Sequence, residues 1–250
     1  MKVIYHEDYN DVYSNDPASA LGRIQAVEKA LRGKVTFVEP VAASREDILN
    51  VHTPDHVKSV EREGVYDIAA LAAGGAIKAA QMGLTEPCFA LIRPPGHHAS
   101  SGSAWGFCYF NNMSVALEKL KREGKIRKVF ILDFDLHYGD GNVNILENKG
   151  YVTILNPTGS NRNEYLKQVQ NELAKTDADM IAVSAGFDNH EDDWGGLLKT
   201  EDYKYMGGLV RDAARRNNGG CFGILEGGYN HNVLGKNVLA FVEGLAGKDL

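Results

Sequence analysis

The chain has 250 residues, 44% apolar and 24% charged, a make-up that fits a globular protein with a substantial core. A net charge of −6 and the lack of any Lys/Arg block exclude the electrostatic footprint of a nucleic-acid or anionic-membrane binder. The opening MKVIYHEDYN lacks a signal pattern, and the most apolar helical stretch, 67–84, is broken by Gly74-Gly75 and Lys78 and is too short for a bilayer. Cys88, Cys108 and Cys221 have no CxxC spacing and read as reduced core residues of a cytoplasmic protein.

In chain order, residues 2–6 read as a short strand, 19–31 as a helix stopped by Gly33, and 35–38 as a second strand closed by Pro40. Ser44 opens a short helix, and Thr53-Pro54 opens another with the threonine as cap. Residues 67–83 form a long helix with a small-residue face. Strands follow at 88–92, 129–134, 152–155, 179–184 and 221–225. Helices at 112–123, 140–147, 163–175, 200–216 (with Thr200 as cap) and 233–245 alternate with them. This alternation predicts an α/β fold: a mainly parallel sheet with helices on both faces, in a single domain spanning 1–250. Nothing in the sequence specifies an oligomer.

In such sheets the functional site lies beyond the C-terminal ends of the strands. The reactive residues fall there. His97 and His98 follow the strand at 88–92; Asp133, Asp135, His137 and Asp140 end the strand at 129–134; Asp188 follows 179–184; Tyr229 follows 221–225 behind Gly227-Gly228. Buried carboxylates cost several kcal/mol, on the order of 3–5 when a partner is lost, unless paired or bound to a cation. Asp135, His137 and Asp188 supply three N/O ligands, the number that leaves an open position at a catalytic zinc site; iron(II) accepts the same set. His97 and His98, set in a rigid Pro-Pro-Gly turn, read as an acid–base pair, with Asp133 and Asp140 left over to orient one ring each. Tyr229 can donate to a developing oxyanion.

These motifs carry a resemblance. Arg93-Pro-Pro-Gly-His-His-Ala99, Gly106-Phe-Cys-Tyr-Phe-Asn-Asn112, Asp133-Phe-Asp-Leu-His-Tyr-Gly-Asp-Gly141, Ser184-Ala-Gly-Phe-Asp188 and Glu226-Gly-Gly-Tyr229 occur in the order found in one superfamily. Weaker matches are Arg23-Ile-Gln-Ala-Val27 and Val51-His-Thr-Pro-Asp-His56. The chain resembles the zinc-dependent histone deacetylase and acetylpolyamine amidohydrolase superfamily. The resemblance implies an arginase/deacetylase-like three-layer sandwich and removal of acetyl or related acyl groups from acylated lysine side chains, in peptides or proteins, or from small acylated amines. It implies zinc on Asp135, His137 and Asp188, His97 paired with Asp133, His98 paired with Asp140, and Tyr229 on the acyl carbonyl. Gly106 and Phe107 would line the acyl-lysine tunnel, with Gly227 and Gly228 beside the acyl group. A structural potassium ion would use Asp133 and the main-chain carbonyls of Asp135 and His137. Glu226 and Gly186-Phe-Asp188 look like class II and bacterial members, whereas Asp140 looks like class I.

The chain departs from the family in three places. Only Asn156 to Arg162 separates the strand at 152–155 from the next helix, where relatives carry a long glycine-rich loop with an aromatic wall. The loop near Gly64 to Asp67 is also short, which leaves Asp67 as a weak substitute for an acidic substrate grip. Asp192-Asp-Trp-Gly-Gly196 replaces the usual Asp-Pro-Leu-Gly-Gly, so Trp194 is expected to rebuild a wall opposite Phe107 at an open, shallow mouth. Two rival readings are a binuclear manganese ureohydrolase and a non-catalytic acyl-lysine binder. Gly139 stands where the first needs a further metal ligand, and Tyr229 is the residue whose loss would mark the second.

Overall fold

The computed structural model describes residues 1–159 and 161–250. Its centre is one parallel sheet of β1 (Lys2–Ile4), β2 (Thr36–Val38), β3 (Cys88–Ala90), β4 (Val129–Asp133), β5 (Val152–Leu155), β6 (Met180–Ala185) and β7 (Gly220–Leu225). The strand order is β2-β1-β3-β7-β6-β4-β5. Strands β4, β6 and β7 are buried at every position. That suits their near-continuous apolar runs, since helices cover both faces of a parallel sheet.

The helices are α1 (Arg23–Leu31), α2 (Arg45–Leu49), α3 (Pro54–Arg62), α4 (Tyr66–Gly83), α5 (Asn112–Arg122), α6 (Asp140–Leu146), α7 (Arg162–Lys175), α8 (Thr200–Arg216) and α9 (His231–Ala246). One group packs α9 against both α1 and α8, with α7 beside α8; the other packs α4 against α5. The expected α/β architecture is the one observed. The four strands that end in reactive residues, β3, β7, β6 and β4, are also contiguous in the sheet. Strands about 4.8 Å apart therefore bring residues from four distant stretches of sequence to one place.

Most boundaries differ by no more than two residues, but two helix starts differ in kind from the sequence reading. Residues 19–31 are not one helix: Ser19 N–H donates to the Asp16 carboxylate, closing a short 3₁₀ turn at Pro17–Ser19. The chain then passes through Gly22 at φ +90° before α1 begins. Thr200 does not cap α8. It is the first helical residue, its hydroxyl donates to Asn237 Oδ1 (2.7 Å), and the Asp202 carboxylate accepts from Lys199 N–H instead (2.8 Å).

The small-residue face of α4 is a packing requirement. A Cβ on Gly74 would lie 1.9 Å from Val41 O and 2.7 Å from Ala43 N, both backbone atoms. Gly208 in α8 has open space around the same position. Gly208→Ala should therefore raise stability by up to about 1 kcal/mol, the ordinary helical gain, whereas Gly74→Ala should lower it by roughly 1–3 kcal/mol. Denaturant unfolding of the two variants measures both, and a stabilised Gly74→Ala would contradict the packing of α4 on 41–43.

Candidate functional site

Asp133 is the last residue of β4, paired in register with Ser184 of β6. Two residues on, Asp135 turns into the space beyond the strand ends. Its Oδ2 accepts from Gly227 N–H (2.8 Å), and its Oδ1 accepts from His137 N–H (2.9 Å). Asp188 Oδ1 accepts from Leu136 N–H (3.0 Å). His137 Nδ1 lies 3.1 Å from Asp135 Oδ1 and 3.0 Å from Asp188 Oδ2. Asp135, His137 and Asp188 thus offer three ligand atoms within 4.8 Å of one another. Backbone amides hold both oxygens of Asp135 and Oδ1 of Asp188, while Asp188 Oδ2 is buried and receives no backbone amide.

The electrostatics ask for a cation there. The two carboxylates hold His137 up to about 10, with Asp135 the larger contributor. Burial and the neighbouring Asp135 push Asp188 above the usual carboxylate range. Burial opposes charge on Asp135 as well, but His97 and His137 outweigh it and keep that carboxyl low. The donor set of two carboxylates and one imidazole suits zinc or iron(II), and a dication would satisfy the orphaned oxygen. The residues present therefore fit a divalent metal.

The histidines stand beside this trio. His97 Nδ1 lies 3.3 Å from Asp133 Oδ2, and His98 Nδ1 lies 2.7 Å from Asp140 Oδ1. The two rings face each other at 4.0 Å. Burial works against a charge on His97, but Asp135 and Asp133 overcome it and the ring sits well above its usual range. Burial, with the charge on His97 next, pushes His98 down to about 4 despite Asp140. His98 is therefore neutral, with its proton on Nδ1 facing Asp140 and Nε2 left to accept.

Tyr229 rides on a turn held from several directions. Its N–H and that of Asn230 both donate to Asp193 Oδ2 (2.8 Å each). Arg23 donates through Nε to Gly228 O (2.8 Å), and its guanidinium lies 5.4 Å from the Tyr229 ring centroid. Gly228 sits at φ +114°, where L side chains are strained. Phe107 meets the tyrosine edge-on at 5.9 Å, with its own backbone in the left-handed region at φ +69°. Trp194 packs on the same tyrosine. It stacks on Tyr229 at 4.0 Å and meets His137 edge-on at 6.0 Å. The tyrosine thus has an aromatic neighbour on two sides.

Gly106 has a reason of its own: a Cβ there would lie 2.4 Å from His98 Cδ2. Gly227 leaves room for Asp135 and Asp188, whose carboxylate atoms would lie 2.5 and 2.7 Å from its Cβ. Asp67 lies in the first turn of α4 and is not among these groups.

Several residues escaped the sequence reading. Trp105 stacks on His98 at 3.8 Å and donates through Nε1 to Asp140 Oδ2 (2.9 Å). Its one signal was a tryptophan in a Ser/Gly stretch that offers no core to fill. Asp193 stood out only as a departure at a position usually occupied by proline. Glu226 had only a subclass meaning, yet its buried Oε2 accepts from Gly96 N–H (2.7 Å) and its Oε1 from the Ser184 hydroxyl (3.1 Å).

Comparison with known proteins gives the family. A model of the histone deacetylase domain matches residues 18–165 and 152–245. The chain belongs to the histone deacetylase family. It is 34% identical to a probable deacetylase of Archaeoglobus fulgidus over 87% of this chain and 76% of that one. A probable deacetylase of Methanothermobacter thermautotrophicus is 30% identical over 99% of this chain and 91% of that protein. The polyamine deacetylase HDAC10 of Mus musculus is 24% identical over 98% of this chain and 48% of its own length. The crystal structure of the HDA15 HD domain shares the fold, with a TM-score of 0.84 at 24% identity over 99% of this chain and 89% of that one. As a family member the chain is a deacetylase-type amidohydrolase. Among the described residues no helix is long and apolar enough to cross a membrane.

The cluster predicts one divalent ion per chain. Elemental analysis after metal depletion and reconstitution should give that stoichiometry. Asp188→Asn or His137→Ala should weaken binding at least about 10–100-fold, the loss already expected when only a supporting group is removed. Two ions per chain would overturn the single-metal reading.

Proposed function

We propose that this chain is a zinc-dependent amidohydrolase, a single catalytic domain that removes acetyl or related acyl groups from acylated lysine side chains or other acylated amines. The observation that carries the reading is the meeting of Asp135, His137 and Asp188 with the His97–Asp133 and His98–Asp140 pairs and Tyr229 at the ends of four contiguous strands. Asp135, His137 and Asp188 would hold the metal, zinc or iron(II), which supplies a Lewis acid for the amide carbonyl and a means of acidifying water.

The protein's own groups do the rest. His98 Nε2 takes a proton from water as the water oxygen adds to the acyl carbon, and Asp140 balances the imidazolium that forms. His97, protonated between Asp133 and Asp135, contributes a fixed positive charge beside the developing oxyanion. The Tyr229 hydroxyl donates to that oxygen; burial keeps the phenol fully protonated. As the tetrahedral centre collapses, His98 returns its proton to the leaving nitrogen. Gly106, Phe107, Gly227, Gly228 and Trp194 line the acyl group.

A potassium ion would bind Asp133 with the main-chain carbonyls of Asp135 and His137. The support for it is that Asp133 Oδ1 is buried with no hydrogen-bond partner. Three buried free cysteines support a reducing, cytoplasmic setting.

The substrates divide into acyl-lysine peptides and acylated polyamines. Trp105, Leu136, Tyr138 and Trp194 are all exposed apolar groups in the loops around the site, which supports an open mouth suited to peptide-borne acyl-lysine. A panel of acetyl- and longer acyl-lysine peptides and acetylpolyamines, assayed at defined zinc loading, tests this. Turnover of at least one acyl-lysine peptide is expected, and a zinc-loaded protein inert to the whole panel would overturn the reading.

Tyr229→Phe should cut kcat by about 10²–10³, the usual cost of an oxyanion donor, with zinc still bound. Full activity in that variant would remove the tyrosine from the mechanism. Trp194→Leu loses the ring stacked on Tyr229 and should shift the preference between acetyl and longer acyl chains by about 10-fold, the order of one or two methylenes in a pocket. An unchanged ratio would place Trp194 outside the acyl wall.

A further inference from the structure

We propose that Trp105 is a positioning residue of the His98–Asp140 pair. Two independent contacts point to this. The indole face lies on the His98 ring at 3.8 Å and 29°, and the indole N–H donates to Asp140 Oδ2 at 2.9 Å. Asp140 Oδ1 accepts from the same His98 ring. One side chain therefore touches both members of the pair by different chemistry. His98 lies between two rings, with His97 at 4.0 Å and Trp105 at 3.8 Å.

Burial does not explain the tryptophan. Trp105 is 54% exposed and sits in a stretch of serine, glycine and alanine. Its place is nonetheless imposed, because both ends of the loop are pinned by buried histidines. His52 donates through Nδ1 to Ser100 O (3.0 Å) and accepts through Nε2 from Asn111 N–H (2.9 Å). His56 donates through Nε2 to Tyr109 O (2.7 Å). A carbonyl can only accept and an amide N–H can only donate, so these partners fix His52 as the neutral Nδ1–H form. The motif that resembled the family only weakly, Val51 to His56, thereby anchors the loop that delivers Trp105.

The contacts have a chemical consequence that rests on the amidohydrolase reading. The proton that leaves water resides on His98 Nε2 until the amine nitrogen takes it, so the ring is a cation for part of each turnover. An indole face stacked on it favours that cation. The Asp140 side chain is one-third exposed, and water can compete for its oxygens. An indole N–H on Oδ2 holds the carboxylate in the one rotation that leaves Oδ1 on His98.

Two variants separate the contacts: Trp105→Phe keeps a face and loses the N–H, and Trp105→Ala loses both. Trp105→Ala should lower kcat by about 10–100-fold with KM within about 3-fold, and Trp105→Phe should fall between it and wild type. A change confined to KM, or an unchanged kcat, would overturn the proposal. A readout independent of turnover guards against a failure of the functional reading. In a Trp194→Phe background Trp105 is the sole tryptophan. Its fluorescence should change in intensity and wavelength when His98→Ala removes the stacked ring. Unchanged emission would mean that the stack does not form in solution, which also overturns the proposal. A wild-type protein inert to every acyl amine would defeat the proposed function alone, and the fluorescence arm would still decide the placement of Trp105.

Discussion

The structure depends on burying anionic carboxylates at the end of a parallel sheet. Asp133, Asp188 and Glu226 are fully buried and Asp135 nearly so. Such groups are tolerated only when each is given donors or a cation. Most of the donors are backbone amides. Leu136 serves Asp188 beyond β6, His137 and, from across β7, Gly227 serve Asp135, and Gly96 and His97 serve Glu226. Asn142 Nδ2 adds bonds to Asp133 Oδ2 and Ser184 Oγ. Two oxygens remain without a donor, Asp188 Oδ2 and Asp133 Oδ1. These two oxygens are the acceptors that the donors leave over, and a cation bound beside them would complete them.

Glu226 ties the strand ends together. Its carboxylate links the end of β7 to the turn that carries His97 and, through Ser184, to β6. Burial, opposed by the His97 charge, pushes its carboxyl up to about 7. One buried acid thereby connects the loops that follow β3, β6 and β7.

Much of this was legible in the sequence, for identifiable reasons. Alternating strands and helices imply a parallel sheet, and a parallel sheet places its site at the strand ends, so His97, Asp135, Asp188 and Tyr229 could be grouped without any coordinates. What was not legible depends on contacts across the chain. Asp193 and Arg23 are 36 and 205 residues from the positions they hold, Tyr229 and Gly228, and no local pattern encodes such a bond. Trp105 lies seven positions after His98 in a loop without periodicity, so its stack could not be inferred from spacing. Trp194 was read as part of the rim, but its orientation onto Tyr229 follows from how Asp193 pulls the two loops together.

Gly139 illustrates how a residue's meaning changes once packing is known. In the sequence its missing side chain argued against a second metal. In the structure a Cβ there would lie 1.9 Å from Asp133 Oδ2, so the glycine is demanded by the carboxylate that supports His97. Gly186 obeys the same rule, since a Cβ would stand 2.0 Å from Asp135 Oδ2. At both positions only a bare backbone can lie this close to the carboxylate oxygen. A carboxylate added at 139 for a second metal would have to displace Asp133 first. A metal ligand at 139 and the carboxylate that faces His97 would thus compete for the same space.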